Sequence, residues 1–245
     1  MESNSIIEKL RDDSEYYGEY GSNWMSNSDV KVLLDDPSSW GKPKGFEKNL
    51  EQGKIFHWAL YEPEKLADVN YSKFSSRNTK GYKEEIDLLG IDGRILKSEM
   101  DEAISWANVF KANNHFNEIL NTEGSQYELP GVAQIMGYSF KGKMDQKLPT
   151  IGYDAKTTAD ISQFKWNAKK YGYDSQAYLY EQIFGVPLIF LVVCKKTLKL
   201  GKFYPTPDFI AGGKEKVKKA MEVYEKFYGE NKTEDIQQYF TTEEL

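Results

Sequence analysis

Two aspartates and a lysine lie close together near the middle of the chain, in the segment MDQKLPTIGYDAKTT. The stretch from Gly152 to Thr158 is predicted to be a strand, and side chains two residues apart leave the same face of a strand. Asp154 and Lys156 should therefore project side by side. This pairing could act on a phosphate through a bound cation, or it could be a surface ion pair.

The preceding strand supplies a second carboxylate. In SFKGKMDQK, alternation places Lys141, Lys143 and Asp145 on one face, opposite a core-facing Met144. Asp145 and Asp154 flank a predicted turn, so antiparallel pairing is expected to bring their Cβ atoms to ~5 Å if they are directly opposite. The lysines on the same face, Lys141 and Lys143, are candidates for binding nucleic acid.

Two neighbouring carboxylates repel each other unless a cation lies between them. Hard oxygen ligands of this kind suit Mg²⁺ or Mn²⁺. Lys156, expected to face solvent, could orient or deprotonate an attacking water, or stabilise charge developing on a phosphate. The alternative is a charged hairpin face with no ligand.

A helix predicted from about Ser162 to Phe184 follows these strands. Lys169, Tyr173, Gln176 and Tyr180 recur along it at helical spacing and form one stripe. Such a stripe usually packs in a core, but a buried glutamine or lysine needs a partner. The helix could instead offer Gln176 and Tyr180 to a nucleic-acid backbone, with Lys165, Lys169 and Lys170 near phosphates.

Other elements must position these residues. Apolar spacing predicts four further helices: one after Ser26–Ser28, one across Ile55–Leu60, one from Lys97 to Leu120 and one in KEKVKKAMEVYEKFYG. The run VPLIFLVVC is predicted to be a buried strand, and residues 70–85 are predicted to be a polar loop. The predicted fold class is α/β, with helices packed on a central mixed β-sheet in a single domain spanning 1–245. Residues 1–22 are expected to form a loosely ordered lead-in.

Composition limits the possible functions. The chain has 245 residues and a formal charge of −6, which argues against a nucleic-acid coat protein but not against a nuclease with a carboxylate site. Its one cysteine, Cys194, cannot form a disulfide framework or a cysteine-bound zinc site. Neither a membrane span nor a signal peptide is predicted, so the expected location is the cytoplasm.

The run GYDAKTTADISQFKWNAKKYGYDSQAYLYEQIFGVPLIFLVV resembles the nuclease domain of the exodeoxyribonuclease VIII (RecE) family, within the PD-(D/E)xK superfamily. The shared elements are a strand aspartate, D-x-K, a helix with Q-x-x-x-Y and a Gly-Val-Pro turn before a buried strand. Three earlier segments resemble elements that precede this region in the same family: MSNSDVKVLLDDP, GKIFHWALYEPEKL and SSRNTKGYKEE. The resemblance therefore covers roughly residues 24–225. D-x-K alone is a weak motif, whereas the ordered set is specific.

The resemblance implies roles for individual residues. Asp145, Asp154 and the backbone carbonyl of Ala155 would be metal ligands, with His57 as the ligating histidine of this branch. Glu128 fits the position of a further acidic ligand better than Glu123 does. The catalytic set would be Lys156, Asp154, Asp145 and Gln176, and Arg77 would bind a phosphate. His57 could alternatively be a histidine packed beneath the sheet.

The function implied is Mg²⁺- or Mn²⁺-dependent hydrolysis of DNA by a processive 5′→3′ exonuclease acting on double-stranded ends. The resemblance also implies a phage or prophage recombination system in a bacterial host, a single-strand annealing partner and a ring-like homo-oligomer, a trimer or tetramer. Two alternatives remain open at this point. They are an endonuclease or nickase with the same site, and a non-catalytic DNA-end-binding module.

Overall fold

The secondary structure of the chain is taken from a computed structural model that describes residues 2–240. The strands are β1 (Tyr71–Ser72), β2 (Ile95–Leu96), β3 (Gln126–Ile135), β4 (Tyr138–Lys147), β5 (Gly152–Thr158), β6 (Leu188–Cys194) and β7 (Leu200–Phe203). The helices are α1 (Glu2–Leu10), α2 (Asp13–Tyr17), α3 (Asn27–Asp35), α4 (Lys48–Tyr61), α5 (Lys80–Leu89), α6 (Lys97–Ala112), α7 (Asn114–Leu120), α8 (Phe164–Lys170), α9 (Tyr173–Phe184) and α10 (Pro207–Phe227).

A mixed sheet of five strands in the order β3-β4-β5-β6-β7 forms the centre of the fold. β5 and β6 are parallel, and the other neighbours are antiparallel. β1 and β2 form a separate parallel pair. Every residue of β6 is buried, as expected for an apolar strand covered on both faces. The predicted α/β class with a helix-flanked mixed sheet is confirmed.

Helices cover the two faces of the sheet differently. On one face, α4, α6 and α7 pack with Tyr153, Ala155 and Leu191 of the central strands. On the other, residues of α8 and α9 pack with Met144, Phe190 and Val192, and α3 and α10 extend this layer. The site residues of β4 and β5 therefore lie between α4 and α9.

Close packing of α9 against α10 depends on a glycine. A Cβ at Gly213 would lie 2.0 Å from the Asp174 carbonyl oxygen, so only glycine fits at this approach. Lys216, one turn later, donates to the buried Asp174 carboxylate at 2.9 Å. This contact joins α9, which carries Gln176, to α10.

The prediction of a loosely ordered lead-in is wrong for the described residues up to 22. They form α1 and α2, and Leu10 and Tyr16 are buried. The reason is a long-range contact: the Tyr16 ring packs over Lys141 and Lys143 of β4 at 4.5 and 4.6 Å. Local sequence patterns carry no sign of it.

Three other predictions also need correction. The helix predicted from Lys97 to Leu120 is interrupted at Asn113, whose side chain caps α7. The helix predicted from Ser162 to Phe184 is interrupted at Gly172, which has φ 74° and separates α8 from α9. The expected loop over 70–85 contains β1 and the start of α5. Among the described residues, no helix has the length and apolar character of a membrane span.

Candidate active site at a strand fork

The candidate site lies where β4 and β5 separate. These strands pair only at Gln146–Tyr153 and Lys147–Gly152, although the same register would place Asp145 opposite Asp154. The Asp145 carboxylate instead turns into the gap and accepts a hydrogen bond from the Ala155 amide at 2.7 Å. The expected cross-strand ladder pair is therefore wrong in detail, because a side chain takes the place of the backbone partner. The two aspartates meet at a fork.

Three potential metal ligands converge on one side of this fork. His57, Glu128 and Asp145 each offer an atom, and the three atoms lie within 4.8 Å of one another. His57 Nδ1 is 3.2 Å from Asp145 Oδ2. Ligands of an octahedral Mg²⁺ at ~2.1 Å lie roughly 3–4 Å apart, so a small inward shift would suffice.

Glu128 shows that the cluster is incomplete without a cation. Its Oε1 is buried and has no hydrogen-bond partner in the described part of the chain. Its backbone has φ 45°, an unfavourable conformation for a residue with a side chain. Burial and the nearby Asp145 charge raise the pKa of Glu128 to about 8. A divalent ion would satisfy this oxygen and reverse the electrostatic penalty, so the residues present fit a hard cation.

The second half of the site is centred on Asp154. Its side chain is 2 % exposed, and Oδ2 lies 2.5 Å from Lys156 Nζ. Gln176 Nε2 donates to Oδ1 at 2.6 Å. Gln176 is thus buried with the partner that the sequence argument required, and it orients the carboxylate. Lys156 is only 17 % exposed, so the expectation that it faces solvent is wrong.

Electrostatics couple the two halves. Burial and the Asp145 charge raise the pKa of Asp154 to about 6, although Lys156 and His57 oppose the shift. Burial disfavours the His57 cation, yet the Asp145 charge and hydrogen bond raise the pKa of His57 to about 9. Burial also works against the Lys156 cation, but Asp154 outweighs it and raises the pKa, so this side chain is an ammonium.

Tyr61 is a neighbour of the site that the sequence analysis missed. It lies one helical turn after His57 on α4, and its ring stacks on Tyr127 with centroids 5.8 Å apart. Its hydroxyl is buried and has no hydrogen-bond partner within residues 2–240. Burial, followed by the charges of Asp145 and Asp154, raises its pKa. The spacing of four residues from His57 was the available signal.

Comparison with known proteins places this geometry in a family. The chain matches the family described as "PDDEXK-like domain of unknown function (DUF3799)" over residues 28–235. It belongs to this family. The expected PD-(D/E)xK superfamily relationship is thereby confirmed, and α1 and α2 lie before the matched region.

A solved structure shows the same fold. The crystal structure of a protein from Eubacterium rectale, described as a proposed exonuclease, aligns with a TM-score of 0.62 and 18% identity, covering 87% of this chain and 85% of that one. The structure of SSO0001 aligns with a TM-score of only 0.36 and 12% identity, covering 80% and 85% of the two chains, and carries no argument. No curated protein matches the chain.

In this PDDEXK-like protein, two of the lysines expected to bind nucleic acid are covered. Lys141 Nζ donates to the Tyr16 carbonyl oxygen at 2.5 Å, and Lys143 Nζ lies 2.5 Å from Asp13 Oδ1. Both side chains are buried under α2. Their contact with DNA stays a prediction, and it requires α2 to move.

The other expected nucleic-acid contacts lie in different surroundings. Arg77 forms a bidentate ion pair with Glu99 at 2.7 and 2.6 Å, which ties the segment before α5 to α6. Tyr180 donates its hydroxyl to the Lys143 carbonyl oxygen at 2.9 Å. Lys165 and Lys169 are exposed on α8. The interruption at Gly172 breaks the predicted continuous stripe, so Lys169 and Gln176 belong to separate helices, and these DNA contacts stay predictions.

Proposed function

We propose that this PDDEXK-like protein is a metal-dependent deoxyribonuclease, specifically a processive 5′→3′ exonuclease of the exodeoxyribonuclease VIII type acting on double-stranded ends. The observation that supports it best is the convergence of Asp145, Glu128 and His57 beside the Asp154–Lys156 pair at one strand fork. A charged hairpin in solvent would not bury these groups or leave an acidic oxygen without a partner.

Mg²⁺ or Mn²⁺ held by His57, Glu128 and Asp145, with Asp154 and the Ala155 carbonyl oxygen as the further expected ligands, would supply a Lewis acid beside the phosphodiester. The residues of the chain have separate tasks. Asp154 holds the Lys156 ammonium at 2.5 Å, and Gln176 fixes the orientation of Asp154. Because its pKa is raised, Lys156 would stabilise negative charge on the phosphate by donating hydrogen bonds, rather than remove a proton.

The test is cleavage of end-labelled linear duplex and of covalently closed circular DNA, each with Mg²⁺ and with chelator. The proposal expects Mg²⁺-dependent release of mononucleotides from the 5′-labelled ends of linear DNA. Covalently closed circles should remain uncut. Cleavage of circles would favour the endonuclease or nickase, and absence of metal-dependent cleavage would favour a binding module. Asp154→Asn should abolish cleavage, whereas Asp160→Asn, at an exposed position just beyond β5, should not.

The wider setting follows from the same resemblance. We infer a ring-like homo-oligomer, a trimer or tetramer, in which an acidic outer surface coexists with a channel for DNA. The resected 3′ strand would pass to a single-strand annealing protein, in a phage or prophage recombination system within the bacterial cytoplasm. Light scattering after size exclusion, with and without duplex DNA, tests the assembly, and a monomer in both conditions would refute the ring.

A further inference from the structure

Two further ammonium groups, those of Lys65 and Lys143, lie beside the proposed metal ligands. Lys143 is two residues before Asp145 on β4, and Lys65 lies in the short helix Pro63–Asp68 that follows α4, the helix carrying His57. One carboxylate joins them: Asp13 Oδ1 is 2.5 Å from Lys143 Nζ, and Asp13 Oδ2 is 2.6 Å from Lys65 Nζ. Two cations on the two oxygens of one anion is also how proteins hold a phosphate.

The carboxylate comes from a segment outside the family match. Residues 28–235 match the PDDEXK-like family, whereas Asp13 opens α2, which lies before that region. α2 is positioned over the basic side of β4, with the Tyr16 ring above Lys143 at 4.6 Å and the Tyr17 ring at 5.6 Å. The contacts between α2 and β4, the strand that carries Asp145, therefore involve mainly the charged groups of β4.

Burial favours the exchange of one anion for another at this position. The Lys143 side chain is 8 % exposed, so its charge requires an anionic partner wherever α2 lies. The Asp13 side chain is 33 % exposed, and Lys65 has a second partner, Glu62 Oε1, at 2.8 Å. Asp13 is thus the most accessible of the three charged groups, and it is the replaceable component of the arrangement.

We propose that Lys65 and Lys143 form a phosphate subsite for the DNA substrate, and that the Asp13 carboxylate occupies this subsite when DNA is absent. The proposal rests on the proposed nuclease function. An incoming backbone phosphate displaces Asp13 and moves α2 away from β4. The N-terminal helices then act as an internal competitor that lowers affinity for DNA.

The first test compares Asp13→Asn with Asp12→Asn in the full chain. Both substitutions remove one carboxylate charge from neighbouring positions, but Asp12 is exposed and caps α2 through the Ser14 amide, a role that asparagine retains. With chelator present, Asp13→Asn is expected to bind a blunt duplex about tenfold more tightly than wild type. Asp12→Asn should match wild type. Equal or weaker binding by Asp13→Asn overturns the proposal.

A second measurement separates the subsite from the nuclease function. Inorganic phosphate, titrated against chloride at constant ionic strength, should raise the melting temperature of Asp13→Asn more than that of wild type. Adding Lys143→Met should remove this difference. If phosphate gives this pattern while no DNA is cleaved, the subsite stands and the nuclease proposal fails. If DNA is cleaved but phosphate gives no difference, the subsite is refuted.

Should Asp13→Asn fail to fold, Lys65→Met keeps the Asp13–Lys143 pair and tests the same idea. It should weaken duplex binding several-fold. The slope of log K against log salt concentration should fall in magnitude by about one, the loss of one phosphate contact. The matched control is Lys226→Met. Lys226 lies at the end of α10 and forms an ion pair with Glu234, so this variant also removes an ion-paired lysine. Equal effects of the two lysine variants would overturn the proposal.

Discussion

Replacing Lys156 by methionine separates the structural role of the ammonium from its proposed chemical role. The Lys156 and Asp154 side chains are 17 % and 2 % exposed, and their charged atoms are 2.5 Å apart. Removing one partner of a buried pair costs about 3–5 kcal/mol because the other charge is left without compensation. Asp154 can avoid part of this cost by taking up a proton. Protonating a carboxyl group with the ordinary pKa of 3.8 costs about 4 kcal/mol at pH 7.

We therefore expect Lys156→Met to lose about 3 kcal/mol of unfolding free energy at pH 7. For a chain of this length, the melting temperature should fall by about 6–12 °C. At pH 5, below the Asp154 pKa of about 6, this carboxyl is largely protonated in both proteins, so the deficit should shrink by about 1.4 kcal/mol, to roughly half its value at pH 7. Calorimetry in chelator at the two pH values measures both quantities.

Two further variants serve as controls for this reasoning. Asp154→Asn/Lys156→Met removes both charges and should be more stable than Lys156→Met at pH 7. Lys195→Met removes a lysine whose ammonium contacts the Asn49 side-chain oxygen at 3.3 Å, and should cost less than about 1 kcal/mol. The single and double variants should both lack cleavage. A deficit independent of pH, or a double variant as unstable as the single one, would refute a stranded Asp154 charge.

Three more outcomes follow from the structure. Asp145→Asn should weaken Mn²⁺ binding about tenfold or more by calorimetry, and unchanged affinity would contradict its role as a ligand. Tyr61→Phe removes a buried hydroxyl that has no hydrogen-bond partner among residues 2–240, so the metal-free protein should gain about 1 kcal/mol of stability in thermal melts, and a loss would reveal a partner. Although burial opposes ionisation, hydrogen bonds from Arg77 and the Leu96 amide lower the pKa of Glu99 from 4.5 to about 2. This carboxylate therefore stabilises the fold above pH ~4.5 and loses the effect toward pH ~2, so Glu99→Gln should cost about 2 kcal/mol at pH 7 and nothing near pH 2, by denaturant unfolding.

Local pattern was enough to predict strands β5 and β6 and the residues they carry. The apolar run of β6 and the D-x-K spacing of Asp154 and Lys156 depend only on the two-residue period of a strand. The buried Gln176 was also foreseeable, since a polar group within an apolar stripe needs a partner. These inferences succeeded because neighbouring residues alone determine them.

Features set by distant parts of the chain could not be predicted in this way. Period-two reasoning assumes that β4 and β5 stay paired, so it placed Asp145 in a regular ladder rather than in the gap beside the Ala155 amide. The cover that α2 places over Lys143 joins residues 130 positions apart in sequence. Gly172 was visible in the sequence, but apolar periodicity on both sides concealed the interruption between α8 and α9.

The fork itself explains why this fold can place several acidic groups around one point. Within a paired ladder, the Ala155 amide would be satisfied by a backbone carbonyl, and Asp145 would have no reason to turn between the strands. Where pairing stops, the amide needs an acceptor, and the carboxylate that supplies it is drawn toward Asp154 and His57. The end of the ladder therefore creates the concentration of negative charge, and Lys156 offsets only part of it. Within residues 2–240, the Oε1 atom of Glu128 has no hydrogen-bond partner, and a divalent cation is a ligand that fits this arrangement.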